Sequence, residues 1–117
     1  ILLCDARAPE RYRGDTEPID KVAGHVPGAV NLPFAQNLDA NGCFRLPAEL
    51  SRIHAHPTES HKRIVHMCGS GVTACHNVLA TAISGQALPA LYAGSWSEWI
   101  TDPKRPVESG AGPHSGD

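Results

Sequence analysis

Cys68 is followed by Gly69, Ser70, Gly71, Val72 and Thr73, and this run is where the chain is best equipped to do chemistry. Ile64, Val65 and Met67 precede it as a short apolar run, the pattern of a parallel strand covered on both faces. From Cys75 the apolar residues recur at Val78, Leu79, Ala82 and Ile83, a helical stripe that Gly85 can end. Gly69 and Gly71 reach backbone angles closed to other residues, so the loop between strand and helix can turn its amides inward. A cysteine at the carboxyl end of a strand, beside a helix N-terminus and facing N–H groups, is favoured as a thiolate. Ser70 and Thr73 can donate hydrogen bonds to a sulfur anion or to a bound substrate, and Thr73 can also cap the helix. A lone cysteine is more commonly a small buried hydrophobe. The two glycines, serine and threonine at this junction tip the reading to a nucleophile.

The cations that can serve this sulfur are Arg7, Arg11 and Arg13, since a guanidinium binds carboxylates and sulfonates through a planar fork. Arg7 and Arg11 follow the carboxyl end of a first strand, the edge where open parallel sheets build their sites. His25, between Gly24 and Pro27-Gly28, reads as a turn-holding residue rather than a general base. Cys75 and the pair Trp96 and Trp99 read as core packing. His66, Cys68, Cys75 and His76 do not have the spacing of a structural metal site, and a helix points Cys75 and His76 about 100° apart.

Two strands must hold these residues. Ile1 to Cys4 reads as the strand that delivers Asp5-Ala6-Arg7, and Ile64 to Met67 as the strand that delivers Cys68. Pro9 starts a helical turn, Gly14 to Gly28 reads as loop, and Ala29 to Leu32 as a short strand. Phe34 to Leu38 reads as a helical turn, Pro47 to His56 as a helix with Leu50 and Ile53 on one face, and 56–60 as a polar linker. Ala90 to Tyr92 reads as a last strand, and Trp96 to Thr101 as a helix that Ser95 caps with Glu98 in the capping-box position. This alternation predicts an α/β domain with a central, mainly parallel sheet over residues 1–101, followed by a Pro/Gly/Ser-rich tail over 102–117.

At 117 residues the chain is long enough for one domain with one core. A formal net charge of −2 without a basic run gives no sign of a nucleic-acid partner, and no apolar stretch approaches membrane length. Four irregularly spaced cysteines do not make a disulfide scaffold, which points to a reducing, cytoplasmic setting. The chain opens on Ile1-Leu2-Leu3 without an initiator methionine and reads as a domain excised from a longer protein.

Several blocks, in order, resemble the rhodanese superfamily. They are Asp5-Ala6-Arg7, Glu10-Arg11-Tyr12-Arg13-Gly14, Glu17-Pro18-Ile19-Asp20, Gly24 through Pro33, Cys68 through His76, and Tyr92-Ala93-Gly94-Ser95-Trp96-Ser97-Glu98-Trp99. The subfamily they resemble most is the C-terminal, catalytic domain of two-domain thiosulfate and 3-mercaptopyruvate sulfurtransferases. The resemblance implies a three-layer domain with helices on both faces of the sheet, and Cys68 as acceptor of a sulfur atom held as a persulfide. It implies Arg11 as the grip on the anionic donor, with Gly69, Ser70, Gly71, Val72 and Thr73 as the substrate-binding loop and Asp5 and Arg7 as its braces. It requires no metal or organic cofactor. The implied partners are a small sulfur donor, a thiol acceptor such as thioredoxin or a small thiol (cyanide in an assay), and a preceding domain of the same family. Such domains begin with a further strand and helix before Asp-Ala-Arg, which are absent from this chain.

Three positions sharpen the resemblance. Cysteine phosphatases of related fold place an arginine six positions after the cysteine, where this chain has Ala74. Thiosulfate-preferring relatives place basic residues directly after the cysteine, where this chain has Gly69 and Ser70, as in mercaptopyruvate-type loops. Animal mercaptopyruvate enzymes place a second arginine nine positions after the first, where this chain has Asp20. An acid there repels a donor carboxylate unless it points away or pairs with Arg7 or Arg13. The rival reading is a non-catalytic rhodanese-like module that binds a partner, against which the intact cysteine and complete loop argue.

Overall fold

The structure is a computed structural model that describes residues 1–55 and 63–111. Its elements in order are β1 (Leu2–Asp5), α1 (Pro9–Arg13), β2 (Val30–Asn31), a 3-10 turn (Phe34–Asn37), α2 (Pro47–Ile53), β3 (Ile64–Met67), α3 (Ala74–Ile83), β4 (Ala90–Leu91) and α4 (Ser95–Trp99). The strands form one sheet in the order β2-β1-β3-β4, with every neighbouring pair parallel. Parallel neighbours need crossover connections, and the helices between the strands supply them. Register sets Asp5 beside Met67, so the segments Ala6-Arg7 and Cys68-Gly69 leave the same edge of the sheet side by side.

Strand alternation sorts the side chains into two layers. On one face Leu3 and Met67 pack with Tyr12 of α1 and Trp96 and Trp99 of α4, together with Val26 and Ala29. Trp96 is fully buried and its indole N–H donates to the Val22 carbonyl, so the ring fills the layer without stranding its polar atom. Loop 14–28 is fastened to this face by His25, which stacks on Tyr12 with centroids 3.8 Å apart and has Nδ1 2.7 Å from the Tyr12 carbonyl. The Tyr12 hydroxyl in turn donates to the Ala29 carbonyl. On the opposite face lie Cys4 and His66, with α3 packed on the sheet, α2 packed on α3, and His54 edge-on to His66 with centroids 6.0 Å apart.

α3 presents a different face to the sheet from the one its apolar stripe predicts. Ala74, Asn77, Ala80 and Thr81 are buried, whereas Cys75, Leu79, Ala82 and Ile83 are exposed. Cys75 is therefore a surface residue and not part of the core. Two alanines let the helix approach the sheet closely, and a buried polar layer fixes which face turns inward. Asn77 donates to the Leu32 carbonyl at 2.9 Å and accepts from Asn37 at 2.8 Å, and Thr81 donates to the Asn77 carbonyl at 2.8 Å. A count of apolar residues gives no weight to an amide that finds all its partners in the interior.

The same layer supplies a pH dependence. The second N–H of Asn37 points to His76 Nδ1 at 3.0 Å, which requires that nitrogen unprotonated, and Phe34 and Phe44 flank the ring. Burial holds His76 below the ordinary histidine value of 6.5. The unfolded chain therefore takes up this proton first, and stability falls as pH drops through that value. Urea midpoints measured between about pH 7.5 and pH 5.5 will fall more steeply for the natural chain than for His76→Gln.

α2 ends at Ile53, three residues short of the sequence expectation, and the expected linker at 56–60 lies outside the described residues. Leu50 is fully buried, as its face predicts. From Asp102 to Ala111 the chain runs over the surface but is tied down. Glu108 exchanges backbone hydrogen bonds with His25 at 2.8 and 2.9 Å, and the Gly110 amide donates to the Arg13 carbonyl at 2.9 Å. Among the described residues, no helix is long and apolar enough to cross a membrane.

Candidate active site

Cys68 leaves β3 into the glycine loop, and the backbone brings the loop back upon its own sulfur. The Gly71 amide donates to Cys68 Sγ at 3.1 Å, and the cysteine is 1% exposed. Gly71 allows this with φ at +91°, and its α-carbon presses so closely on the neighbouring turn that a Cβ would lie 2.5 Å from the Ala93 carbonyl oxygen. Ala74, six positions after the cysteine, is fully buried beside Ala6, Cys68 and Phe34, so this position holds a methyl group where a phosphate clamp would need a guanidinium.

A second loop, 93–97, holds the first. The Cys68 amide donates to Ser95 Oγ at 3.0 Å, and that hydroxyl donates to the Tyr92 carbonyl at 2.8 Å. The Trp96 and Ser97 amides donate to the carbonyls of Cys68 and Gly69 at 3.0 and 2.9 Å. Ser95 is thus not the helix cap its position predicts: no side-chain cap bond forms at α4. Its φ of +54° is unusual for a residue with a Cβ and is maintained by hydrogen bonds on both sides of the hydroxyl. Sequence reasoning missed this role because a serine three residues before a glutamate matches a capping box, and its contact partner lies 27 residues away.

Arg11 projects from α1 over the loop, with Nη2 3.3 Å from where a Cβ on Gly69 would sit. Arg7 lies deeper. It is 2% exposed and bonds Asp5 through Nε and Nη2, the Nη2 contact at 2.7 Å. Arg7 also donates to the Gly24 carbonyl at 2.7 Å and lies 4.9 Å over the Trp96 ring. It braces the loops rather than facing solvent. Arg13 points away and pairs with Asp15 at 2.9 Å.

Glu17 and Asp20 enclose Arg11. Glu17 bonds Arg11 Nη2 at 2.9 Å and accepts the amides of Ile19 and Asp20 at 3.1 and 2.9 Å. Burial alone would raise the Glu17 carboxyl, but the two amides and Arg11 outweigh it and hold the group below the usual carboxylate range. Asp20 neither points away nor pairs with Arg7 or Arg13. It lies 3.5 Å from Arg11 and accepts the Ser97 hydroxyl at 3.0 Å.

Above the loop is a pocket of about 190 Å³ lined by Arg11, Ile19, Asp20, Gly69, Ser70, Val72, Thr73 and Ser97. It joins the expected anion grip, Arg11, to four residues of the cysteine loop. Ile19 and Val72 are 75% and 72% exposed and stand at its rim. The residues of the discarded metal set are scattered: His66 faces His54 on the opposite side of the sheet, and His76 sits against Phe44. Among the described residues, no group of three His, Cys, Asp or Glu is placed to hold a metal ion. All four cysteines are unpaired, and Cys4 is chemically quiet because burial, then the neighbouring Asp5 charge, pushes its thiol up to about 12.

The model of the rhodanese-like domain matches residues 1–102. The chain belongs to the rhodanese-like domain family. Its relatives bear the names of sulfurtransferases. A Pseudomonas aeruginosa protein named "Probable 3-mercaptopyruvate sulfurtransferase" is 51% identical over 115 residues, covering 94% of this chain and 39% of its own length. The thiosulfate sulfurtransferase of Bos taurus is 38% identical over 116 residues, with the same coverage of 94% and 39%. The chain therefore spans well under half the length of these relatives. Among solved structures, wild-type EanB superposes with a TM-score of 0.79 at 23% identity, over 93% of this chain and 28% of that one, a likeness of fold. The four-stranded parallel sheet between helical layers is accordingly a rhodanese fold.

Proposed function

We propose that this domain is a sulfurtransferase whose Cys68 carries the sulfur as a persulfide. The Cys68 thiolate attacks the outer sulfur of a small anionic donor. With thiosulfate the S–S bond breaks and sulfite leaves. With 3-mercaptopyruvate the C–S bond breaks and pyruvate leaves after its carbon takes up a proton. An acceptor thiolate then attacks the outer sulfur, and Cys68 departs as thiolate. This is covalent catalysis in two displacement steps.

The observation that carries the reading is the Gly71 amide donating to Cys68 Sγ at 3.1 Å inside a loop pinned by Ser95, Trp96 and Ser97. Preorganised N–H groups stabilise developing charge on sulfur as they do on oxygen, and at no reorganisation cost. In this reading Arg11 orients the donor anion, and Gly69, Ser70, Val72 and Thr73 form the wall along which it lies. Asp5 and Arg7 keep the two loops in register. The acceptor is a small thiol or a thioredoxin-like protein thiol in the cytoplasm, and a preceding domain of the same fold completes the longer protein. The names of the relatives support both donors.

Intact mass spectrometry after incubation with thiosulfate or with 3-mercaptopyruvate tests the proposal. The domain will gain one sulfur atom, lose it to cyanide, and show neither change as Cys68→Ser. A folded domain that gains no sulfur from either donor would leave it a binding module.

A further inference from the structure

The charges around the donor pocket do not add up to an anion trap. Arg7 and Arg11 face Asp5, Glu17 and Asp20, so two cations stand against three carboxylates and the cluster is one charge negative. Asp5 is committed to Arg7, and Glu17 to Arg11 at 2.9 Å and to the amides of Ile19 and Asp20. Asp20 is not fully committed. Its Oδ1 accepts the Ser97 hydroxyl, whereas its buried Oδ2 has no hydrogen-bond partner and lies 3.5 Å from Arg11 Nη2. Both Arg11 and Asp20 line the pocket. A donor anion that reaches Arg11 must therefore approach a carboxylate already facing that guanidinium.

We infer that Asp20 sets the charge of the sulfur donor, admitting a monoanion and opposing a dianion by competing with it for Arg11. The inference rests on the sulfurtransferase reading of the pocket. Thiosulfate carries two charges and 3-mercaptopyruvate one carboxylate, so the geometry favours a keto-acid type of donor. The backbone amides of the loop bind the transferred sulfur in either case, and the discrimination is made at the far end of the donor.

Coulomb energy is linear in the charge of the ligand, which makes the inference quantitative. Asp20→Asn keeps an oxygen for the Ser97 hydroxyl and removes the charge, placing an amide NH2 where Oδ2 faced Arg11. If it improves kcat/KM for 3-mercaptopyruvate about fivefold, thiosulfate must gain about 25-fold, because the logarithm doubles with the charge. The gain lies mainly in KM and shrinks as salt is added. Equal factors for the two donors, no change, or a loss with both in a variant of unchanged melting temperature would overturn the inference.

Binding without turnover separates this from the reading beneath it. In the Cys68→Ser background, calorimetric affinities for sulfate and pyruvate, with and without Asp20→Asn, must show the same doubling in the logarithm. If the natural chain loads no sulfur while that ratio holds, the charge filter stands and sulfur transfer falls. If it loads sulfur but the ratio is one, transfer stands and the filter falls.

Discussion

Gly71→Ala will lose sulfur loading by roughly 100-fold while the domain still folds. Two effects act at this residue. A φ of +91° is strained for any residue with a Cβ, at about 1–2 kcal/mol. The added methyl would also stand 2.5 Å from the Ala93 carbonyl oxygen, so one of the two loops must retreat. The amide that donates to Cys68 Sγ belongs to the same residue, and the retreat takes it from the sulfur. Gly28→Ala separates the two effects. Its φ of +85° carries the same strain, but nothing lies within 4 Å of the new methyl group. It should lower the melting temperature by an amount corresponding to about 1 kcal/mol and leave the rate of persulfide formation unchanged. If both variants load sulfur at the natural rate, the loop contact does not control the reaction.

Arg7→Met will be the most destabilising substitution considered, at about 3–5 kcal/mol. The guanidinium is almost fully buried and satisfies both Asp5 oxygens, the Gly24 carbonyl and part of Glu17. Methionine fills much of the space but leaves Asp5 as an unpaired charge beneath the sheet edge. Adding Asp5→Asn removes that charge, so the double variant should recover a large part of the loss, which chemical denaturation of the four proteins in a double-mutant cycle will show. Additive losses would mean that Arg7 acts through its packing on Trp96 and not through the ion pair. Because Asp5 and Arg7 start at the end of β1 beside Met67, the single variant also loosens the platform from which Cys68 projects.

Much of this architecture is legible in the residues because it is local. The Ile64–Met67 strand, the glycine loop and the helix after it are neighbours in the chain, and glycine, β-branched and apolar types impose their geometry within a few residues. Asp5 and Arg7 are likewise two residues apart at a strand end, but the resemblance implies them only as braces of the loop and not as an ion pair. The apolar stripe of α3 misled because exposure is decided by partners the helix does not contain. Asn77 turns inward since Asn37 and Leu32 are waiting there. The assignment of Ser95 as a cap failed for the same reason, as its hydroxyl is claimed by the Cys68 amide from another element.

The α/β alternation, the parallel sheet, and the position of a cysteine on a glycine loop between strand and helix are all written in the order of the residues. So is the alanine that stands at the sixth place after that cysteine. Which carboxylates face Arg11 and which serine holds the loop from behind emerge only on folding. So does the carboxylate beside Arg11 that keeps the pocket from being simply cationic. Backbone preferences act over a few residues and can be read from them. Charge neutralisation and loop-to-loop hydrogen bonds depend on distances between segments far apart in the chain, 77 residues from Asp20 to Ser97, and those distances exist only once the sheet has assembled.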